Sequence, residues 1–133
     1  MAADDIPQAS SDAHMRAKFI ASFRFAFAGL AYVFRTQRNF RIHLSIGIIA
    51  ALVGLLVRLS WVEWAVVVIL VVVVLAAEMV NTMVESLVDL VTQEYHPLAK
   101  VAKDVAAGVV LLCAIGAAVV GLLIFVPKLL GRG

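Results

Sequence analysis

A row of polar residues cuts into an otherwise oily stretch of this chain: Glu78, Asn81, Glu85 and Asp89, within "EMVNTMVESLVDLV". On a helix turning about 100° per residue, Glu78, Glu85 and Asp89 fall within about 40° of one another. Asn81 and Thr82 flank them, while Met79, Met83, Leu87, Leu90 and Val91 cover the opposite side. A charge left unpaired among lipid tails costs at least about 3 kcal/mol, so such a row calls for a cation, a polar substrate or a proton path. Glu94 and His96 follow, then Lys103 and Asp104. Carboxylates hold hard divalent cations through oxygen, and lysine is a point-charge partner for phosphate, so the set fits magnesium with a polyphosphate. Zinc fits less well, because His43 and His96 are not placed to converge with a cysteine on one centre. Some of these residues have plainer accounts. Asp89 and Glu94 could be solvated at an interface, Lys103 could pair locally with Asp104, and His96 before Pro97 could serve a turn or cap. Glu78, bordered by Ala76, Ala77 and Met79, resists a plain account.

The elements that must position this row are membrane helices. The chain has 133 residues, 64% hydrophobic and 15% charged, more apolar surface than a soluble domain of that size can hide. It has no room for a separate soluble catalytic domain, so any chemistry falls to the helices and their short connections. The net charge of +2 comes mostly from basic residues beside membrane segments, with no nucleic-acid-binding motif. Anionic lipid headgroups are therefore the expected contact, and nucleic acid is not. Cys113 is the only cysteine, which excludes a disulfide within the chain and a cysteine-based metal site. "MAADDIPQASSDAH" lacks a basic lead into a short apolar core, so residues 1–15 read as a disordered tail before one membrane domain over 16–133.

Within that domain, Phe19, Ile20, Phe23, Phe27, Leu30 and Phe34 recur at helical spacing, with Arg16, Lys18, Arg24 and Arg35 between them. This predicts an amphipathic helix lying in the membrane interface. Spans are predicted over about 42–57, 61–85 and 105–126, the first of them short against the roughly 20 residues a bilayer needs. "RLSWVEW" supplies a turn with Trp61 and Trp64 as interfacial anchors, and "TQEYHPLAK" a polar loop ended by Pro97 at a helix start. The fold class is thus an all-α membrane protein, one interfacial helix plus three transmembrane helices. Arg16, Lys18, Arg24, Arg35, Arg38 and Arg41 precede the first span, and Lys100 and Lys103 lie between the second and third. By the positive-inside bias the N-terminus and the second loop face the cytoplasm and the C-terminus lies outside, which puts the acidic row on the ATP side. Gly47 with Ala51, Ala50 with Gly54 and Ala117 with Gly121 are small residues at packing spacing and would permit self-association.

"EMVNTMVESLVD" followed by "EYHPLAKVAKDVAAGVVLL" resembles the motif pair of the prokaryotic diacylglycerol kinase family, small three-span membrane enzymes that phosphorylate lipid alcohols. The resemblance runs from about Ser22 to Phe125, and "SFRFAFAGL" with "RNFRIHL" looks like its Gram-positive branch, where undecaprenol often replaces diacylglycerol. It implies a bacterial inner-membrane homotrimer with active sites shared between protomers, using ATP and magnesium. It further implies that Glu78 accepts the lipid hydroxyl proton, with Asn81 beside it, and that Glu85 binds the magnesium on ATP. Glu94, Tyr95 and His96 would line the nucleotide site, and Lys103 and Asp104 would contact its phosphates and ribose or adenine. On the first helix it assigns Lys18 and Phe25 to the nucleotide, and Ser22, Arg24 and Phe27 to the lipid.

One position departs from the family pattern. Gln37 stands where many members carry a second metal-binding glutamate, and an amide offers an oxygen but no charge. Magnesium would then be held less tightly, or with help from Asp89. No glycine-rich phosphate loop is present, so nucleotide binding must rely on side chains and metal. Two other readings stand beside the lipid kinase: a small oligomeric proton or cation conductor with Glu78, Glu85 and Asp89 as relay, and a catalytically weakened family member.

Overall fold

The computed structural model describes residues 6–131, with side chains from His14 to Gly131. Its elements are α1 (Ile6–Thr36), α2 (Arg38–Leu56), α3 (Trp61–Val91) and α4 (Pro97–Leu129). They form two compact units, Met1–Thr36 and Gln37–Gly133. Of the tail expected over residues 1–15, residues 1–5 lie outside the described residues, and α1 runs from Ile6.

Four helices, rather than three, are long and apolar enough to cross a membrane, because the His14–Thr36 part of α1 also qualifies by length and composition. The reason lies in how its residues are distributed. Phe25 and Tyr32 lie across the helix from the stripe of Phe19, Phe23 and Phe27, so apolar side chains are not confined to one face. Two of its hydroxyls are satisfied within the helix: Ser22 Oγ donates to Lys18 O at 3.0 Å and Thr36 Oγ1 to Tyr32 O at 2.8 Å.

In the second unit α3 is the central element, in contact with both α2 and α4. The α2–α3 connection is a Schellman turn. Leu59 N–H donates to Gly54 O at 3.1 Å and Arg58 N–H to Leu55 O at 3.4 Å. Arg58 takes the left-handed conformation, φ 54°, that glycine usually fills there. α3 then starts on a capping box, with Ser60 N–H donating to Glu63 Oε2 at 2.6 Å and Glu63 N–H to Ser60 Oγ at 3.4 Å. Glu63 Oε2 also meets Lys128 Nζ at 3.2 Å, tying the start of α3 to the end of α4.

The α2–α3 contact rests on a heptad stripe. Phe40, Gly47 and Gly54 are the buried residues of α2; Gly54 faces Trp64, Gly47 faces Val71 and His43 approaches Glu78, so the α3 stripe of Trp64, Val71 and Glu78 is met in antiparallel register. A Cβ on Gly47 would stand 2.9 Å from Val71 Cγ1, and one on Gly54 would stand 2.8 Å from Leu59 Cδ1 and 3.1 Å from Trp64 Cη2. Helices in lipid gain nothing from hiding apolar groups from lipid tails, so close van der Waals approach over small residues is what holds such a pair. Gly47 and Gly54, expected to serve self-association, are thus engaged inside the chain.

Gly47→Ala should therefore push α2 off α3, since Val71 is β-branched and stiff. The expected cost is about 1–3 kcal/mol of overpacking, read as a lower thermal midpoint of the detergent-solubilised protein. Gly108→Ala, with open space around its Cβ position, should leave the midpoint unchanged or slightly higher. Equal midpoints for both variants would contradict the register.

Candidate active site

The C-terminal half of α3 carries the acidic row. Glu78 is 3% exposed, a charged residue among Val74, Ala77 and Thr82 as the buried positions of that helix. Its Oε1 is buried and makes no hydrogen bond, although His43 Nε2 on α2 approaches to 3.3 Å. That approach is within ion-pair distance but lacks the alignment of a hydrogen bond. The neighbouring donors are engaged elsewhere: Thr82 Oγ1 donates to the Glu78 backbone carbonyl at 2.9 Å, and Asn81 Nδ2 donates to Glu85 Oε1 at 3.0 Å. Asn81 Oδ1 is a second buried acceptor without a partner. Two orphaned oxygens so close along one helix mark a place built to receive a donor or a cation.

Beyond them, the loop of residues 92–96 closes a cleft of about 410 Å³ lined by Asp89, Glu94, Tyr95, His96, Lys103 and Asp104, among others. Five of the residues expected to hold a nucleotide are thus gathered in one place, and Glu78, Asn81 and Glu85 lie farther back along α3, outside its lining. Thr92 Oγ1 accepts from Glu94 N–H at 3.2 Å and sets the loop. His96 is the N-cap of α4, its Nδ1 accepting from Leu98 N–H at 3.3 Å, so it serves as a cap and also borders the cleft. The ion pairing differs from the local Lys103–Asp104 alternative. Lys103 Nζ meets Asp89 Oδ1 at 2.6 Å across α3 and α4, and Asp104 pairs with Lys100 one turn before it.

Among the described residues no three His, Cys, Asp or Glu side chains are grouped to hold a metal ion. Magnesium carried in on a nucleotide makes a smaller demand, one or two carboxylates beside phosphate oxygens and water. Glu85, half-buried and flanked by the orphaned Asn81 oxygen, fits that demand. Gln37 is half-buried at the N-cap of α2, and its side chain makes no capping hydrogen bond. Asp89 is held by Lys103, so it could aid a metal only by releasing that lysine.

Lys18, Ser22, Arg24, Phe25 and Phe27 all lie on α1, exposed within the first unit. There the Arg24 guanidinium stacks 5.5 Å from the Phe25 ring centroid. His43 was missed as a site residue. Its one sequence signal is its place a single turn before Gly47, on the same side of α2.

The second unit is a helical membrane protein in which a buried carboxylate and a charged cleft share one helix. The chain belongs to the prokaryotic diacylglycerol kinase family, lipid kinases of the membrane, whose family model matches residues 24–125. It is 43% identical over 112 residues to the undecaprenol kinase of Bacillus subtilis, covering 84% of this chain and 91% of that protein. It is 48% identical over 112 residues to a diacylglycerol kinase of Synechocystis, covering 84% of this chain and 64% of that protein.

Because the Asp89 side chain of the Lys103 pair is 60% exposed, Asp89→Asn should change stability by less than about 1 kcal/mol. A thermal midpoint equal to that of the unmodified chain is the expected result, and a large fall would make the pair a structural tie between α3 and α4.

Proposed function

We propose that this chain transfers the terminal phosphoryl group of MgATP to the primary hydroxyl of a membrane lipid alcohol, undecaprenol or diacylglycerol. The observation that carries the reading is the Glu78 carboxylate, buried to 3% exposure on α3 while the neighbouring donors Thr82 and Asn81 are engaged elsewhere. Glu78 would accept the hydroxyl proton as the lipid oxygen bonds to the γ-phosphorus and the bridge to the β-phosphate breaks, giving lipid phosphate and ADP. Asn81 orients the reacting group through its free amide oxygen and its bond to Glu85. Magnesium, held by Glu85 with Gln37 as a neutral second ligand, would neutralise phosphate charge when the nucleotide is bound. Glu94, Tyr95 and His96 receive the nucleoside, Asp104 its ribose or adenine, and Lys103 exchanges Asp89 for phosphate oxygens.

In this reading α1 lies in the interface rather than across the bilayer. Arg24 falls near the middle of His14–Thr36, and a span there would place its charge at the bilayer centre at a cost of about 3 kcal/mol or more. Lying flat, α1 keeps Lys18 and Arg24 among anionic headgroups and offers Ser22, Phe25 and Phe27 to substrates at the same depth. The N-terminus and the 92–96 loop face the cytoplasm of a bacterial inner membrane, and the C-terminus lies outside. A homotrimer with sites shared between protomers would cover the half-exposed side of Glu85.

Purified protein in mixed micelles with labelled ATP and either lipid alcohol tests the reading. Glu78→Gln should lower lipid phosphate formation by about 100-fold or more, the scale on which a lost general base is felt; turnover near that of the unmodified chain would remove Glu78 from its role. Gln37→Glu should shift the magnesium titration of activity to lower concentration. An unchanged titration would leave Gln37 outside the metal's reach.

A further inference from the structure

The mechanism leaves unexplained a side chain from another helix that reaches Glu78. His43 brings Nε2 to 3.3 Å of Glu78 Oε1, with the two side chains 23% and 4% exposed. Its position is not incidental. Gly47, one turn on, lets α2 come so close that a Cβ there would overlap Val71, and Val71 lies on the same stripe of α3 as Glu78. The imidazole also forms the polar end of a cavity of about 290 Å³ whose other walls include Gly47, Ala50, Val74, Ala117 and Gly121.

Resting on the lipid kinase reading above, we propose that His43 is a positioning residue, whose Nε2–H holds the Glu78 carboxylate in the orientation that presents its other oxygen to the lipid hydroxyl. A carboxylate this deep has several side-chain rotamers available, and an oxygen without a donor has nothing to select among them. The donors on α3 cannot do so, since Thr82 and Asn81 are turned to the Glu78 carbonyl and to Glu85. The 3.3 Å approach is within hydrogen-bond reach once ring and carboxylate align. Histidine suits the task better than lysine or arginine would. A permanent cation buried against Glu78 would lock it into a closed ion pair, whereas a neutral imidazole donates one hydrogen bond and leaves the carboxylate able to take a proton.

Three chains are compared in mixed micelles with a saturating lipid alcohol: unmodified, His43→Leu and His43→Gln. His43→Leu removes the donor and suits the apolar cavity wall, and it should lower kcat about 10- to 100-fold, the effect of misplacing a reacting group by about 1 Å, with the KM for ATP unchanged. His43→Gln, which restores an N–H at similar reach, should recover most of the loss. An unchanged kcat in the leucine variant, or a glutamine variant no better than leucine at equal thermal midpoint, overturns the proposal. Nitrogen NMR of histidine-labelled protein provides a readout that needs no turnover. His43 should appear as the Nε2-protonated tautomer and shift on Glu78→Gln; an unshifted ring overturns the contact even where lipid phosphorylation is confirmed. A shifted ring in a protein that phosphorylates no lipid alcohol refutes the lipid kinase reading and, with it, the catalytic purpose given to the contact.

Discussion

The separation of α2 from α3 is the constraint on which the rest of this molecule depends. It is set by the absence of side chains at Gly47 and Gly54, where even a methyl group would meet Val71, Leu59 or Trp64. Close approach of the two helices encloses the next heptad position of α3, Glu78, to 3% exposure. Were the helices farther apart, lipid tails or water would reach the carboxylate, and it would be either intolerably placed or simply solvated. The stripe that binds the helices is therefore also the wall of the proposed reaction site, and packing and chemistry could not be altered separately there.

The length of α3 explains how one helix serves two environments. Its 31 residues extend about 46 Å at about 1.5 Å each, against a hydrocarbon core about 30 Å thick. The excess carries the acidic row from the buried Glu78, through the half-buried Asn81 and Glu85, to the exposed Asp89 beside the cleft. The proposed reaction, between a lipid dissolved in the membrane and a nucleotide dissolved in water, would require such a graded path, because neither substrate can follow the other into its own solvent. The Asn81–Glu85 hydrogen bond is the link between the two ends.

How much of this the sequence disclosed depends on whether the information was local. The row of Glu78, Asn81 and Glu85 follows from helical periodicity, and the gathering of Glu94, Tyr95, His96, Lys103 and Asp104 follows from a short loop between two helices. The pairing of Lys103 with Asp89 was not legible, because Asp104 is its neighbour in sequence while Asp89 is its neighbour only after α3 and α4 pack. The role of His43 was hard to read for the same reason: its place one turn before Gly47 is a local signal, but nothing along α2 says that Gly47 will press on Val71. The glycines misled in the opposite sense. Small residues at packing spacing announce that some helix comes close, but not whether it belongs to the same chain, and here Gly47 and Gly54 face α3. In α1 the aromatic stripe did not separate an interfacial helix from a span, since Phe25 and Tyr32 make the other side apolar enough for the helix to qualify as a span.

The two halves of the site are also held by different kinds of force, and this bears on how they work. Glu78 stands at a point of α3 fixed by helix packing, which is stiff and leaves its backbone little room for displacement. Lys103 is located by an exposed ion pair on a long flexible stem, 39% exposed, which water and salt weaken readily. Asp89 therefore occupies the lysine without trapping it, and in the proposed reaction a phosphate, carrying more charge than one carboxylate, would displace it. In the proposed reaction a carboxylate on a stiff helix seam would meet the lipid and a mobile cation would meet the nucleotide, matching what each substrate brings. The lipid oxygen must be met at one distance and angle, whereas the phosphate chain can be followed by a point charge as it moves.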